Sequence, residues 1–170
     1  MARTHAARPR EIIWARHGET QANRDRRLKP PGEKLDENGK AEARRLAIRA
    51  SAKKPDRILA SPMPRAQQTA QAVRGKVHAP VITVPALRSR DYGDWAGRKI
   101  SEVKSKLEAG ETPPHGESRE SVARRVRLAR SKIEKMPGRT MIVTHSSVLR
   151  AAHRPKVGPA RFTVEKPNGR

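Results

Sequence analysis

Two histidines and two arginines stand just beyond stretches that are typical of short buried strands: Arg16, His17, Arg65 and His145. The first pair follows residues 11–15, Arg65 comes after residues 57–60, and His145 follows residues 141–144. In open α/β sheets, ligands bind outside the carboxyl ends of the strands. We therefore expect these four side chains to meet at one edge of a sheet.

This set of side chains suits the transfer of a phosphoryl group. Arginines bind phosphoryl oxygens bidentately and remain ionised at any working pH. A neutral imidazole such as that of His17 can attack phosphorus and hold the group covalently, which divides one difficult step into two. A second imidazole, that of His145, can donate a hydrogen bond to the oxygens as charge builds on them. Gly18 lets backbone and substrate approach each other closely.

Other interpretations of the histidines carry less weight. A single Arg-His or Thr-His pair beside a strand is most often structural, so the prediction depends on the pairs occurring together. His17 and His145 could bind a metal ion, but no third ligand has a clear place and the neighbouring arginines would repel a cation. We therefore predict a site without metal or cofactor. The remaining histidines are predicted to lie on the surface: His5, His78, His115 and His153.

The order of the elements predicts a layered α/β domain. Apolar stretches indicate strands at residues 11–15, 57–60, 81–84 and 141–144, with a last edge strand at 161–165. Helical spacing and breaker residues indicate helices that begin near residue 38 and at residues 64, 100, 118 and 146. Because strands and helices alternate, the sheet should be mostly parallel and covered by helices.

Length and composition fit one ordinary domain. The chain has 170 residues, and we predict a basic flexible leader at residues 1–10 followed by a single domain at residues 11–170. No apolar run is long enough to span a membrane, and the leader lacks the apolar stretch of a secretory signal. The chain has no cysteine, which fits a cytoplasmic protein.

The chain is strongly basic, with a net charge of +22 at pH 7. Its basic residues are spread along the whole sequence, so the surface should attract polyanions in a salt-dependent way. We expect an anionic phosphorylated substrate as a partner, and non-specific nucleic acid is a further candidate. The simpler alternative is a solvated basic surface without a partner. Aromatic residues, which stack on single-stranded nucleic acid, make up only 2% of the chain.

Five short motifs follow one another along the chain. They are R-H-G-E-T at 16–20 with Asn23 beyond it, S-P-M-P-R-A-Q-Q-T-A at 61–70, L-R-S-R-D-Y-G-D-W-A-G at 87–97, H-G-E-S at 115–118 and T-H-S-S-V-L-R at 144–150. In this order they resemble the histidine phosphatase superfamily, also called phosphoglycerate mutase-like. One motif alone would carry little weight, but five in the family's order are specific.

The resemblance implies a three-layer α/β/α sandwich and a role for each matched residue. His17 would be the nucleophile that becomes phosphohistidine. The phosphate pocket would be formed by Arg16, Arg65 and His145, with further hydrogen bonds from the Asn23 side chain and the backbone N–H of Ser146. The family's chemistry requires no metal or cofactor.

Two positions depart from the family's pattern. Ser89 stands where relatives carry the glutamate that protonates the leaving oxygen, a contribution on the order of 10²–10⁴ in rate. Asp91, Asp94 and Glu117 are the carboxylates that could replace it. The second departure is Ser146-Ser147 in place of Gly-Gly, which tightens the pocket floor but keeps the backbone donors.

The function that follows is hydrolysis of a phosphomonoester, with phosphoglycerate mutase activity the less favoured choice because the chain has little room for sheltering insertions. The alternative is an impaired relative, lacking its acid, that serves as a basic phosphate- or nucleic-acid-binding module. Four basic residues in and after the third motif predict a second anionic group on the substrate: Arg88, Arg90, Arg98 and Lys99.

Overall fold

The computed structural model describes residues 10–166, and the predicted leader therefore lies almost entirely outside the described residues. The strands are β1 (Glu11–Arg16), β2 (Arg57–Ala60), β3 (Val81–Thr83), β4 (Arg139–Thr144) and β5 (Phe162–Glu165). The helices are α1 (Gln21–Arg24), α2 (Glu37–Ser51), α3 (Pro64–Val77), α4 (Ile100–Glu108), α5 (Arg119–Ile133) and α6 (Ser146–Ala151). Short 3₁₀ turns at Pro85–Leu87 and Gly93–Trp95 precede α4.

The five strands form one sheet in the order β3-β2-β4-β1-β5. The first four are parallel to their neighbours, and β5 pairs with β1 in the antiparallel direction at the edge. This arrangement confirms the predicted, mostly parallel sheet. Because β1, β2 and β4 run in one direction side by side, the residues that follow them emerge at the same edge.

Helices cover both faces of the sheet, which gives the α/β/α layers. Ile13 and Ala15 of β1 pack toward α2 and α3, whereas Ile12 and Trp14 pack toward α5 and α6. All four side chains are buried. A strand with two buried faces has no polar face, which explains why β1 is a continuous apolar run in the sequence.

Side-chain caps decide where two of the helices begin. The Asp36 carboxylate accepts a hydrogen bond from the Gly39 N–H at 2.7 Å, so α2 begins slightly before its predicted start. The Ser118 hydroxyl accepts one from the Ser121 N–H at 3.1 Å, so Ser118 is the cap of α5 rather than its first residue. These contacts satisfy backbone groups that a helix cannot pair internally.

The described surface agrees with two further expectations. His78, His115 and His153 are exposed, as predicted, and His5 lies outside the described residues. No helix within residues 10–166 is both long enough and apolar enough to cross a bilayer.

Candidate active site

His17 lies in the turn directly after β1, and its side chain is only 1% exposed. Its Nδ1 is 2.6 Å from the Gly18 carbonyl oxygen. A carbonyl can only accept a hydrogen bond, so Nδ1 carries the hydrogen and Nε2 keeps its lone pair. Burial, and next the charge of Arg65, lower the pKa of His17 well below its ordinary value. The ring is therefore neutral at neutral pH, with Nε2 available for attack.

His145 lies in the turn after β4, and its ring centroid is 5.1 Å from that of His17. Its Nε2 is 2.7 Å from the hydroxyl oxygen of Ser61, which follows β2. That oxygen also accepts a hydrogen bond from the Met63 N–H, which leaves its own hydrogen free to be donated to Nε2. Nδ1 of His145 is then an N–H group, and it is buried without a partner among residues 10–166.

The same site holds both predicted arginines. Arg65 is fully buried, and its Nη1 donates to the carbonyl oxygens of Pro30 and Pro31 at 3.2 and 3.3 Å. Burial lowers the pKa of Arg65 to about 10, so it remains charged at neutral pH. Within the described residues, the buried Nε atoms of Arg16 and Arg65 have no hydrogen-bond partner. Unpaired buried donors are costly, and an anion beside His17 would satisfy them.

Close packing against α2 and α3 holds the His17 turn in place. The Gly18 N–H donates to the Thr69 hydroxyl oxygen at 3.1 Å. A Cβ atom added at Gly39 would lie 2.0 Å from the Glu19 carbonyl oxygen, and one added at Gly18 would lie 2.5 Å from the Gly39 carbonyl oxygen. Two glycines are therefore required where the turn crosses the first residues of α2.

Of Asn23 and Ser146, Ser146 borders the cavity above His17 and Asn23 does not. Asn23 lies in α1, a helix that the sequence interpretation missed, and its Oδ1 accepts hydrogen bonds from the backbone N–H and hydroxyl of Thr20. Only the Asn23 amide hydrogens remain for a phosphoryl oxygen. Ser146 is the first residue of α6 and borders the cavity above His17.

Ser89 stands at the position where relatives carry the glutamate acid, and its hydroxyl lies beside that of Ser147. The Oγ atoms of Ser89 and Ser147 lie 3.5 Å apart, and the Ser147 oxygen accepts a hydrogen bond from the Arg90 N–H at 3.1 Å. A serine hydroxyl is too weak an acid to protonate a leaving group at neutral pH. Ser147, one of the residues that replace the family's Gly-Gly, therefore fixes the backbone at the position next to Ser89.

Glu117 is unsuited to the proposed role of proton donor. Its carboxylate oxygens accept hydrogen bonds from Arg125 at 2.7 and 2.8 Å. Burial acts to raise the pKa of Glu117, but the hydrogen bond and charge of Arg125 outweigh it and hold the pKa below its ordinary value. Arg125 also donates to the carbonyl oxygens of Ala86, Arg88 and Ser89. The ion pair therefore holds the segment that carries Ser89.

The two aspartates differ in their distance from the site. Asp94 is exposed, pairs with His115 at 3.1 Å and borders neither of the two cavities near His17 and Arg65. It is therefore not placed to protonate a substrate. Asp91 is exposed too, and its Oδ1 accepts from the Gly93 N–H, but it borders a small cavity that Arg65 and Ser89 share. Asp91 remains the only one of the three suggested carboxylates that reaches this region.

A cavity of about 400 Å³ opens above His17 and His145, beneath α4. Six cationic side chains border it: Arg27, Lys29, Arg90, Lys104, Arg119 and Arg150. Glu108 is the acidic residue among the cavity's described neighbours. Arg90 was predicted from the sequence, but Arg98 and Lys99 do not border the cavity, and Arg98 instead pairs with Glu102. The expected basic lining is therefore present but is built mostly from other residues.

No sequence motif pointed to Lys29, which lies between α1 and α2. Only the two prolines that follow it gave a signal, because a residue before proline is restricted to extended conformations. Nothing local indicated that this segment returns to His17. Within residues 10–166, no cluster of three or more His, Asp or Glu side chains is arranged to hold a metal ion.

Comparisons with known proteins agree with this geometry. The family model for the histidine phosphatase superfamily (branch 1) matches residues 12–160. The chain is 30% identical to probable phosphoglycerate mutase GpmB of Enterobacter sp. (strain 638), over 82% of this chain and 71% of that protein. It is 37% identical to fructose-2,6-bisphosphatase TIGAR of Xenopus laevis, over 65% of this chain and 45% of that protein.

Solved structures share the fold. A mycobacterial glucosyl-3-phosphoglycerate phosphatase aligns with a TM-score of 0.79 at 23% identity, over 91% of this chain and 90% of that chain. A layered sheet with two buried histidines and two arginines at one edge defines an α/β protein with a cationic pocket. The chain belongs to the histidine phosphatase superfamily. Its named relatives include phosphatases and mutases.

Proposed function

We propose that this chain is a phosphatase that hydrolyses an anionic phosphomonoester through a phosphohistidine on His17. One observation carries the proposal: among residues 10–166, buried N–H groups of Arg16, Arg65 and His145 have no hydrogen-bond partner around a neutral imidazole. A phosphoryl group supplies the oxygens that these donors need, and it places phosphorus beside the lone pair on Nε2.

The two half-reactions use the same groups. In the first, Nε2 of His17 attacks phosphorus, the bond to the leaving oxygen breaks, and the leaving oxygen takes up a proton. In the second, water attacks the phosphohistidine, and the electron pair of the P–N bond returns to Nε2. Arg16, Arg65 and the Nδ1–H of His145 stabilise the negative charge on the phosphoryl oxygens in both steps.

Hydrolysis is favoured over transfer to a second substrate. The cavity of about 400 Å³ exceeds the room that a phosphoryl group needs, and six cationic side chains and Glu108 border it. Water can therefore accompany the substrate and reach the phosphohistidine. The cationic side chains around the opening favour substrates with a second anionic group beyond the phosphate.

A phosphate-release assay with 4-nitrophenyl phosphate tests the proposal. The wild-type chain should release phosphate, and His17→Ala should not. Brief exposure to substrate should leave acid-labile, base-stable phosphate on His17. Release by His17→Ala at the wild-type rate would refute the phosphohistidine, and a chelator should leave the rate unchanged.

The replacement of the usual acid by Ser89 favours one second candidate, a basic binding module with little turnover. Tight, salt-sensitive binding of nucleic acid without phosphate release would support it. Ser89→Glu distinguishes the two candidates, since a gain of activity in an otherwise inactive chain identifies an impaired enzyme. An active wild type excludes the pure binding module.

A further inference from the structure

Lys29 lies in a segment that is fixed on one side to the residues that lead into α4. Its neighbour Leu28 donates through its N–H to the Arg98 carbonyl oxygen at 2.9 Å, and the Leu28 carbonyl accepts from the Gly97 N–H at 2.7 Å. These contacts tie the segment between α1 and α2 to the residues that lead into α4. The backbone of Lys29 therefore has a defined position beside the cavity.

On its other side, the segment is fixed to the phosphate pocket. The carbonyl oxygens of Pro30 and Pro31 accept hydrogen bonds from Arg65, one of the arginines beside His17. The residue before a proline is confined to extended conformations. Contacts of its neighbours thus hold Lys29 between the residues that lead into α4 and Arg65.

Lys29 borders the space that the missing acid would serve. It borders the main cavity together with His17 and His145, and it borders the small cavity together with Arg65 and Ser89. Ser89 also borders both cavities, so Lys29 and Ser89 share the region next to the phosphate pocket.

The ammonium group of Lys29 is available for a ligand. It makes no hydrogen bond or ion pair with another residue between 10 and 166, although it is partly buried. Arg16 and Arg65 oppose the charge of Lys29 and Glu33 favours it, so an anion bound in the cavity would stabilise the ammonium further.

We propose that Lys29 donates the proton to the leaving-group oxygen, the role that Ser89 cannot fill. This inference rests on the proposed phosphatase function. It assigns the acid to a cationic residue from the segment between α1 and α2 instead of a carboxylate from the loop after β3. Asp91 is the competing donor, because it borders the small cavity as well.

The proposed step balances as follows. While Nε2 of His17 forms its bond to phosphorus, the P–O bond breaks and its electron pair moves to the leaving oxygen. That oxygen takes a proton from the Lys29 ammonium, which becomes a neutral amine, and the alcohol departs. When water then attacks the phosphohistidine, the amine accepts one proton from that water and the ammonium is restored.

The electrostatic surroundings suit this cycle. Burial, followed by the charges of Arg16 and Arg65, lowers the pKa of Lys29 to about 8, and Glu33 opposes the shift. Both protonation states are thus within reach near neutral pH. The other charged groups that border the two cavities are Arg27, Arg88, Arg90, Asp91, Lys104, Glu108, Arg119 and Arg150.

Two substrates separate proton donation from charge stabilisation. The leaving group of 4-nitrophenyl phosphate is acidic and departs without a proton, whereas that of glycerol 2-phosphate needs one. Lys29→Met should lower kcat for glycerol 2-phosphate by about 10² or more and affect 4-nitrophenyl phosphate far less. The aryl substrate also reports whether the variant has folded with an intact site.

Lys29→Arg is the critical variant, since arginine keeps the charge but does not release a proton. Compared with Lys29→Met, this variant should bring KM for both substrates back toward the wild-type value. Its kcat for glycerol 2-phosphate should stay low. The matched variant Lys104→Met removes a cation from the same cavity and should lower activity on both substrates to a similar degree.

Three results would overturn the role of Lys29. In the first, Lys29→Arg turns over glycerol 2-phosphate at the wild-type rate. In the second, Lys29→Met lowers kcat equally for both substrates. In the third, Asp91→Asn, and not Lys29→Met, lowers kcat for glycerol 2-phosphate alone. Failure of the underlying function appears differently, because the wild type would then neither cleave 4-nitrophenyl phosphate nor form phosphohistidine.

Discussion

Nε2 of His145 lies 2.7 Å from the hydroxyl oxygen of Ser61, so the residue after β4 is oriented by the residue after β2. This hydrogen bond leaves Nδ1 as the N–H group of the ring. The orientation of the Nδ1–H group, which we propose binds a phosphoryl oxygen, is thereby set by a contact between the residues that follow two neighbouring strands. The contact exists because parallel strands bring their carboxyl ends to one edge of the sheet.

Ser61→Ala should weaken phosphate binding and slow turnover without unfolding the chain. Loss of one hydrogen bond of about 0.5–1.5 kcal/mol corresponds to about a 2- to 13-fold change. The dissociation constant for inorganic phosphate and kcat for 4-nitrophenyl phosphate are the quantities to measure. Ser131→Ala removes an exposed hydroxyl on α5 and serves as the control. Equal phosphate affinity in Ser61→Ala and wild type would contradict the orienting role.

His17 and His145 directly follow apolar strands, and Arg65 lies in the first turn of the helix that follows β2, so their meeting at one edge could be predicted from the sequence. His17, Arg65 and His145 needed only the rule that parallel strands end at one edge. Lys29 lies in a segment without periodicity, and its direction is set by contacts between Leu28 and Gly97 that are distant in sequence. No local pattern contains that information.

Glu117 illustrates a second limit of the sequence. Its place in the motif at 115–118 made it a candidate acid, but its chemistry is decided by Arg125, two turns along α5. Such pairing depends on where the loop before α5 folds back. The core was easier to predict, because Val122 and Val126 face the sheet by helical spacing alone.

Removing Arg125 should destabilise the fold strongly. The side chains of Arg125 and Glu117 are only 13% and 8% exposed, and breaking a buried ion pair costs about 3–5 kcal/mol. Arg88 lies 3.4 Å from Glu117 and compensates part of its charge, so a loss of about 3 kcal/mol is expected. Arg125→Met should therefore lower the free energy of unfolding in urea by about this amount. Arg124→Met, at an exposed neighbouring position, is the control. Similar midpoints for the two variants would show that the pair has little structural weight.

Acidification should destabilise the phosphate-free chain. Burial is the main cause that lowers the pKa of both His17 and His145 well below the ordinary 6.5. Below about pH 6.5 the unfolded chain therefore binds protons at these two histidines that the folded chain does not bind. The stability that depends on the neutral rings is present above this pH and is lost as pH falls.

Urea titrations from pH 7.5 to pH 5 measure this effect. Replacing either histidine by glutamine should reduce the pH dependence of the free energy of unfolding, because one proton fewer is taken up on unfolding. An unchanged slope in both His17→Gln and His145→Gln would mean that other groups govern acid stability.

Gly39→Ala should disturb the His17 turn from a position outside the cavity. The added Cβ would lie 2.0 Å from the Glu19 carbonyl oxygen, and backbone atoms cannot yield as a flexible side chain can. Overpacking of this kind costs about 1–3 kcal/mol, and the displaced turn should lower kcat as well. Gly75→Ala in α3 meets nothing within 4 Å and should be neutral or stabilising by up to about 1 kcal/mol. Thermal unfolding and kcat for 4-nitrophenyl phosphate should be measured for both variants. Equal stability and equal activity of the two variants would show that the His17 turn does not depend on the close approach of Gly39 to Glu19.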